Sequence, residues 1–155
     1  MENVDANNLY GNALRYPLPI ADFVYIDETE YNTIDWHHID TQGNTGYFLV
    51  CDLCYPPDIH QRTAHLPLAP EVLEINYNML TDYSKALNSR KNLACIPDTL
   101  NPDAFMSCTK LMATCFDRYN YVLHFAALQL YLQLGLLLMR VHRVIRFTQA
   151  PLFRS

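Results

Sequence analysis

No Asp, Glu, Lys or Arg occurs between Arg118 and Arg140, and this restricts the fold more than any other feature of the chain. A stretch of that length without a charge has to be removed from water, and about 20 apolar residues would also span a bilayer. His124, Gln129, Gln133 and Gly135 interrupt it. Tyr121-Val-Leu-His-Phe125 is aromatic and β-branched enough to favour a strand over the start of a long helix. The expectation is a buried β-α-β segment in place of a membrane span. It comprises a strand from Tyr121 to Phe125, a helix from about Ala127 to Arg140 and a strand from Val141 to Phe147. Val141, Ile145 and Phe147 are expected on one side of that last strand.

Upstream, Phe23-Val-Tyr-Ile26 and Gly46-Tyr-Phe-Leu-Val-Cys-Asp-Leu53 are strand-like apolar runs. The intervening polar segment, rich in Asp, Asn, Thr and His, is expected to be an exposed loop. Met1 to Leu14 is expected to end a strand and turn at Asn7, Asn8 and Gly11. Two prolines in Tyr16-Pro-Leu-Pro19 forbid a continued helix. Leu66-Pro-Leu-Ala-Pro70 reads as an extended connection. A helix is expected near Asn78 to Leu87, where Met79, Leu80, Tyr83 and Leu87 share a face, followed by a loop around Pro97 to Pro102. No internal repeat or low-complexity tract is present.

The 155 residues are half hydrophobic, which suits one sizeable core and one domain, or a piece of a larger one. A net charge of −5 argues against a protein that coats nucleic acid unaided, because phosphate binding draws on clustered Lys and Arg. Met1 to Tyr10 holds no basic region followed by an apolar stretch, so an intracellular location is expected. The five cysteines, Cys51, Cys54, Cys95, Cys108 and Cys115, lack the density of a disulfide scaffold, and reduced thiols are expected.

The most informative chemistry lies in Asp5-Ala-Asn-Asn-Leu-Tyr-Gly11: an acidic residue, then a Leu-Tyr pair, then a turn glycine. Taken alone, such a pattern also describes a capping Asp before a packed turn. It resembles the first catalytic motif of protein-primed family B DNA polymerases of viruses, linear plasmids and self-synthesising transposons. The resemblance continues through Tyr16, Leu18-Pro19, Phe23, Gly46-Tyr-Phe-Leu49, Asp52-Leu53, Tyr55-Pro56 and Pro67-Leu-Ala-Pro-Glu71. Met79-Leu80, Tyr83-Ser-Lys85, Lys110-Leu111, Phe116-Asp117, Tyr121-Val-Leu-His124 and Leu128-Gln-Leu-Tyr-Leu132 extend it. Gly135, Val141-His-Arg-Val-Ile145, Phe147, Gln149 and Pro151 complete it.

That resemblance implies an α+β fold, with residues 1–45 a partial polymerase palm and residues 46–155 an insertion similar to the first terminal-protein region, containing the β-α-β segment. It implies that Asp5 binds Mg²⁺ as part of a two-ion site. Such a site needs hard oxygen ligands to activate the primer 3′-oxygen and steady the leaving pyrophosphate. It further implies that Ala6, Asn7, Asn8 and Leu9 lie along the dNTP triphosphate and that Tyr10 packs on the incoming sugar. DNA template, primer and a terminal priming protein are the implied partners. Arg140, Arg143 and Arg146 become candidate phosphate or partner contacts, with a solvated basic strand edge as the competing reading. The family's lysine-bearing helix motif and its Asp-Thr-Asp motif do not occur in this sequence. The expectation is therefore a polymerase fragment without activity by itself, or else a non-catalytic interaction module.

Smaller signals point elsewhere only weakly. Cys51-Asp-Leu-Cys54 has the spacing of half a zinc site, but a strand sends residues three apart to opposite faces. Trp36-His37-His38 with Asp40, and His60 with His65, read best as hydrogen-bonded loop histidines. No glycine-rich phosphate loop and no nucleophile elbow occurs.

Overall fold

The computed structural model describes residues 9–86 and 108–152. It divides into two compact units, residues 1–65 with 115–155, and residues 66–114. The fold is α+β.

In the first unit, strands β1 (Leu18–Ile26), β2 (Thr45–Cys54), β5 (Arg118–His124) and β6 (Leu137–Ala150) form one sheet in the order β1-β6-β2-β5, with every neighbouring pair antiparallel. Strand β1 thus pairs across the boundary near residue 45 that the polymerase resemblance suggests. Among the described residues the unit also holds the helices α1 (Leu9–Ala13), α2 (Glu28–Tyr31), α3 (Pro57–Thr63) and α4 (Phe125–Leu134). Strands β5 and β6 both run antiparallel to β2, so α4 joins two parallel strands with β2 between them.

Alternation along β2 sorts the faces. Leu49, Cys51 and Leu53 are fully buried and lie on the side of Phe125, Leu128, Leu132 and Leu136, which are all buried as well. Tyr47 extends this covered face by setting its ring edge-on to Trp36 at 5.6 Å and to Phe125 at 6.0 Å. Phe48, Val50, Asp52 and Cys54 point to the other side and are only partly buried.

The β-α-β order is as expected, but the helix stops at Leu134 and does not reach Arg140. Gly135 adopts φ 108°, and the amides of Gly135 and Leu136 bond to the carbonyls of Leu132 (3.1 Å) and Tyr131 (3.0 Å), closing a glycine cap. Leu and Met suit either secondary structure, so the glycine decides and Leu137 already begins β6. No helix among the described residues is long and apolar enough to cross a membrane.

The polar segment between β1 and β2 is mostly exposed, as expected, but it is pinned to the rest of the unit at a few points. Asp27 caps α2 by accepting from the Glu30 amide at 2.9 Å. Tyr31 and Trp36 are buried. Gln129 and Gln149 donate to the carbonyls of Ile39 and Gly43, each at 2.8 Å, and tie the segment to α4 and β6. Composition registered its many polar residues and missed that two large aromatics anchor it.

The second unit contains β3 (Glu71–Ile75) paired antiparallel with β4 (Cys108–Met112). The helix expected from Asn78 is displaced. A 3₁₀ turn spans Tyr77–Met79, Leu80 is extended, and helical geometry begins only at residue 82. Asn76 and Thr81 each accept a bond from an amide ahead of them, and these local caps outcompete a helix through Leu80. Leu87 and the expected loop from Pro97 to Pro102 lie outside the described residues.

Candidate nucleic-acid interface

Of the motif residues, Asp5, Ala6, Asn7 and Asn8 lie outside the described residues. Leu9 opens α1, and Tyr10 follows it with its side chain 89% exposed. Gly11 lies within that helix and not in the turn expected for it. Just beyond, Asn12, Arg15, Tyr16 and Gln42 line an open polar cleft of about 360 Å³.

The three candidate arginines do not form one edge. In a regular strand, Arg140 and Arg146 would share a face and Arg143 would oppose them. Here β6 has one extra residue, His142, between its partners for Val50 and Cys51, and such a bulge resets the alternation. Arg140 pairs with Asp52 and Arg143 with Val50, on the open face, while Arg146 pairs with Tyr47 on the covered face. There Arg146 forms an ion pair with Glu30. The same bulge places Val141 opposite Cys51, away from Ile145 and Phe147, correcting the expectation that the three share a side.

Asp52 is held on the open face by the Asn120 amide at 2.8 Å. His142 Nε2 lies 2.8 Å from the same oxygen, an ion-pair distance at an angle that does not make a hydrogen bond. The Asn120 amide first, then His142 and the more distant Arg140 charge, lower the Asp52 pKa. Arg143 is exposed and has no ion-pair partner among the described residues.

Around Arg143 the open face is apolar. Tyr25, Phe48, Val50, Val122 and Ile145 join it in lining a shallow cleft of about 110 Å³. Tyr25 is 71% exposed and Val122 67%. A row of directly paired residues crosses all four strands here, from Tyr25 through Ile145 and Phe48 to His124. Beside the row on the same face, two residues along β6, Phe147 is buried against the surface rings, with Phe48 at 4.9 Å and Phe23 at 5.7 Å. Sequence reasoning passed over Tyr25 and Phe48 as functional residues. The Phe23, Tyr25 alternation was the available signal, because an edge strand with aromatics at every second position presents them on one face.

His124 ends this row and caps α4, its Nδ1 accepting from the Ala126 amide at 3.3 Å. Burial pushes its pKa below the ordinary 6.5. A depressed folded-state value means that the unfolded chain takes the proton first. The His124 contribution to stability is therefore complete above about pH 6.5 and is lost as pH falls through the depressed folded value. The fall in Tm between pH 7 and pH 5 should be shallower in His124→Asn, which keeps a capping acceptor. Equal slopes for the two proteins would contradict this.

The remaining polar signals have structural explanations. Cys51 and Cys54 belong to opposite faces of β2, and burial pushes the Cys51 thiol up to about 12, leaving it unreactive at neutral pH. Burial first, and then Asp117, raises Cys54. His38 pairs with Asp35 at 2.7 Å on the surface, and His60 contacts the Tyr55 carbonyl at 3.0 Å. Among the described residues no group of three or more His, Cys, Asp or Glu could hold a metal ion. No protein-family model, curated protein or solved structure matches the chain.

Proposed function

We propose that this chain is a portion of a protein-primed family B DNA polymerase, comprising part of its palm and the terminal-protein region that follows the first metal-binding motif. The parent enzyme transfers nucleotidyl groups from dNTPs to a protein or DNA primer with two Mg²⁺. Within this portion Asp5 is a metal ligand and residues Ala6 to Leu9 follow the triphosphate. The observation that carries the reading is the Asp5 to Tyr10 pattern, together with the helix that opens at Leu9 and leaves Tyr10 almost fully exposed. A side chain that meets a nucleotide sugar has to be free in this way. An α+β unit with one sheet face covered and the other open is compatible with a palm. One carboxylate binds Mg²⁺ weakly, because the ion keeps its water and relies on substrate phosphates for further oxygens. The isolated chain is thus expected to bind Mg·dNTP without polymerising.

The test is thermal melting with Mg²⁺ and dNTP together. A ligand at about ten times its Kd stabilises by roughly 1.4 kcal/mol, which for a chain of this size raises Tm on the order of 3–5 °C. Asp5→Ala should abolish the rise, and dNTP without Mg²⁺ should give none. Indifference of the unaltered chain to both ligands overturns the reading and favours a non-catalytic protein-interaction module, for which the exposed apolar sheet face provides the surface.

A further inference from the structure

We infer that the open sheet face built from Tyr25, Phe48 and Arg143 is a stacking platform for an unpaired polynucleotide strand. The inference deepens the nucleic-acid reading above, but it uses none of the residues of the Asp5 motif. Three observations carry it. Tyr25 and Phe48 flank Ile145 in one cross-strand row, so two rings stand on the same surface two strand spacings apart, about 10 Å. Tyr25 is 71% exposed, whereas the rings that build the core, Phe125 and Phe147, are buried, so the fold does not consume the Tyr25 ring.

The third observation is charge. The cleft is lined by apolar side chains and by one charged group, Arg143, which is exposed and makes no ion pair among the described residues. Arg146 is neutralised by Glu30 on the other face, and Arg140 stands beside Asp52. A free guanidinium next to accessible rings matches a phosphate next to a base. Aromatic rings accept any base by its π face, and an adjacent Arg adds a phosphate contact or stacks in turn. Duplex DNA hides its base faces and cannot use such a surface. A protein segment with acidic and apolar groups is the other possible occupant. It has no requirement for planar rings, so replacing a ring with an aliphatic side chain separates the two.

The chain has a net charge of −5, so binding rests on one cation and two rings and should be weak and sensitive to salt. The experiment is fluorescence anisotropy of a labelled oligo(dT) titrated with the full chain at low ionic strength. A duplex of the same length and an acidic, leucine-rich peptide serve as competitors. Tyr25→Ala should weaken oligo(dT) binding about tenfold, as loss of one stacked base does. Tyr25→Phe should bind as the unaltered chain does, and Tyr25→Leu should resemble Tyr25→Ala. Arg143→Gln should lower the slope of log affinity against log salt by about 0.7, one phosphate on a single strand.

Tyr25 is exposed, so these variants should fold, and unchanged melting curves will confirm it. Binding that is unaffected by Tyr25→Ala overturns the inference. So does tight binding retained in Tyr25→Leu, or displacement by the peptide but not by unlabelled oligo(dT). Asp5→Ala should leave oligo(dT) binding intact. In the unaltered chain, absence of any Mg·dNTP effect together with oligo(dT) binding would therefore defeat the polymerase reading alone, and the reverse pattern would defeat only the platform.

Discussion

Phe125→Ala is expected to destabilise the chain by about 3–5 kcal/mol, the cost of deleting a buried aromatic ring whose site cannot collapse. Phe125 is the first residue of α4 and is 1% exposed. Its ring meets Tyr47 edge-on at 6.0 Å and His124 at 4.6 Å, and Tyr47 in turn meets Trp36. Truncation removes the ring that links the helix to Tyr47 near the start of β2 and leaves a void between two regular elements whose backbones are fixed by their own hydrogen bonds. Trp36 is the single tryptophan and belongs to the same aromatic chain, so its fluorescence reports unfolding of this unit directly. In urea the midpoint should fall while the slope stays constant. Phe125→Leu refills most of the volume and should lose less than half as much. A loss under 1 kcal/mol for Phe125→Ala would show that the ring is not a core element.

Gly46→Ala has the second-largest expected effect, and it acts by crowding. A Cβ at residue 46 would lie 2.2 Å from Phe147 Cε2, 2.5 Å from its Cζ and 2.6 Å from Gln149 Oε1. Neither neighbour can step aside. Phe147 is sealed beneath Phe48 and Phe23, and buried Gln149 is bonded to the Gly43 carbonyl. Overpacking of this kind costs about 1–3 kcal/mol, and the top of that range applies where two buried groups have to move. The variant Phe147→Leu frees the space. In that background Gly46→Ala should cost less than 1 kcal/mol, so a double-mutant cycle from urea unfolding should give a coupling energy of about 1–2 kcal/mol. Additive effects would mean that the clash is relieved by backbone movement instead.

Both predictions concern packing across strands far apart in sequence, and this is where the sequence was hardest to read. The Phe23 to Ile26 and Gly46 to Leu53 runs, the strand beginning before His124 and the β-α-β order were legible because each is written in a few adjacent residues. The end of α4 was legible in principle at Gly135, yet the run from Leu136 to Met139 satisfies helix and strand equally, and the first charge at Arg140 was the wrong marker. The segment from Asp27 to Asn44 is mostly solvent-exposed, as its polar majority indicates, but the burial of Tyr31 and Trp36 within it was not legible. Within the candidate interface, Arg143 was named only together with Arg140 and Arg146, from the resemblance, whereas Tyr25 and Phe48 were not named, since their significance depends on β1 and β2 lying either side of β6.

The sequence by itself determined that the charge-free stretch would be cored by a strand and a helix. That property arises from local propensity and from the absence of charge. Only the tertiary structure decided which side chains share a face. One extra residue at His142 puts Arg140 on the face of Arg143 and parts it from Arg146, which pairs with Glu30 on the other face. Side chains alternate with a period of two, so a slip of one residue reverses every assignment beyond it. That slip is set by how β6 registers against β2, a pairing of residues about 90 apart that no local pattern encodes.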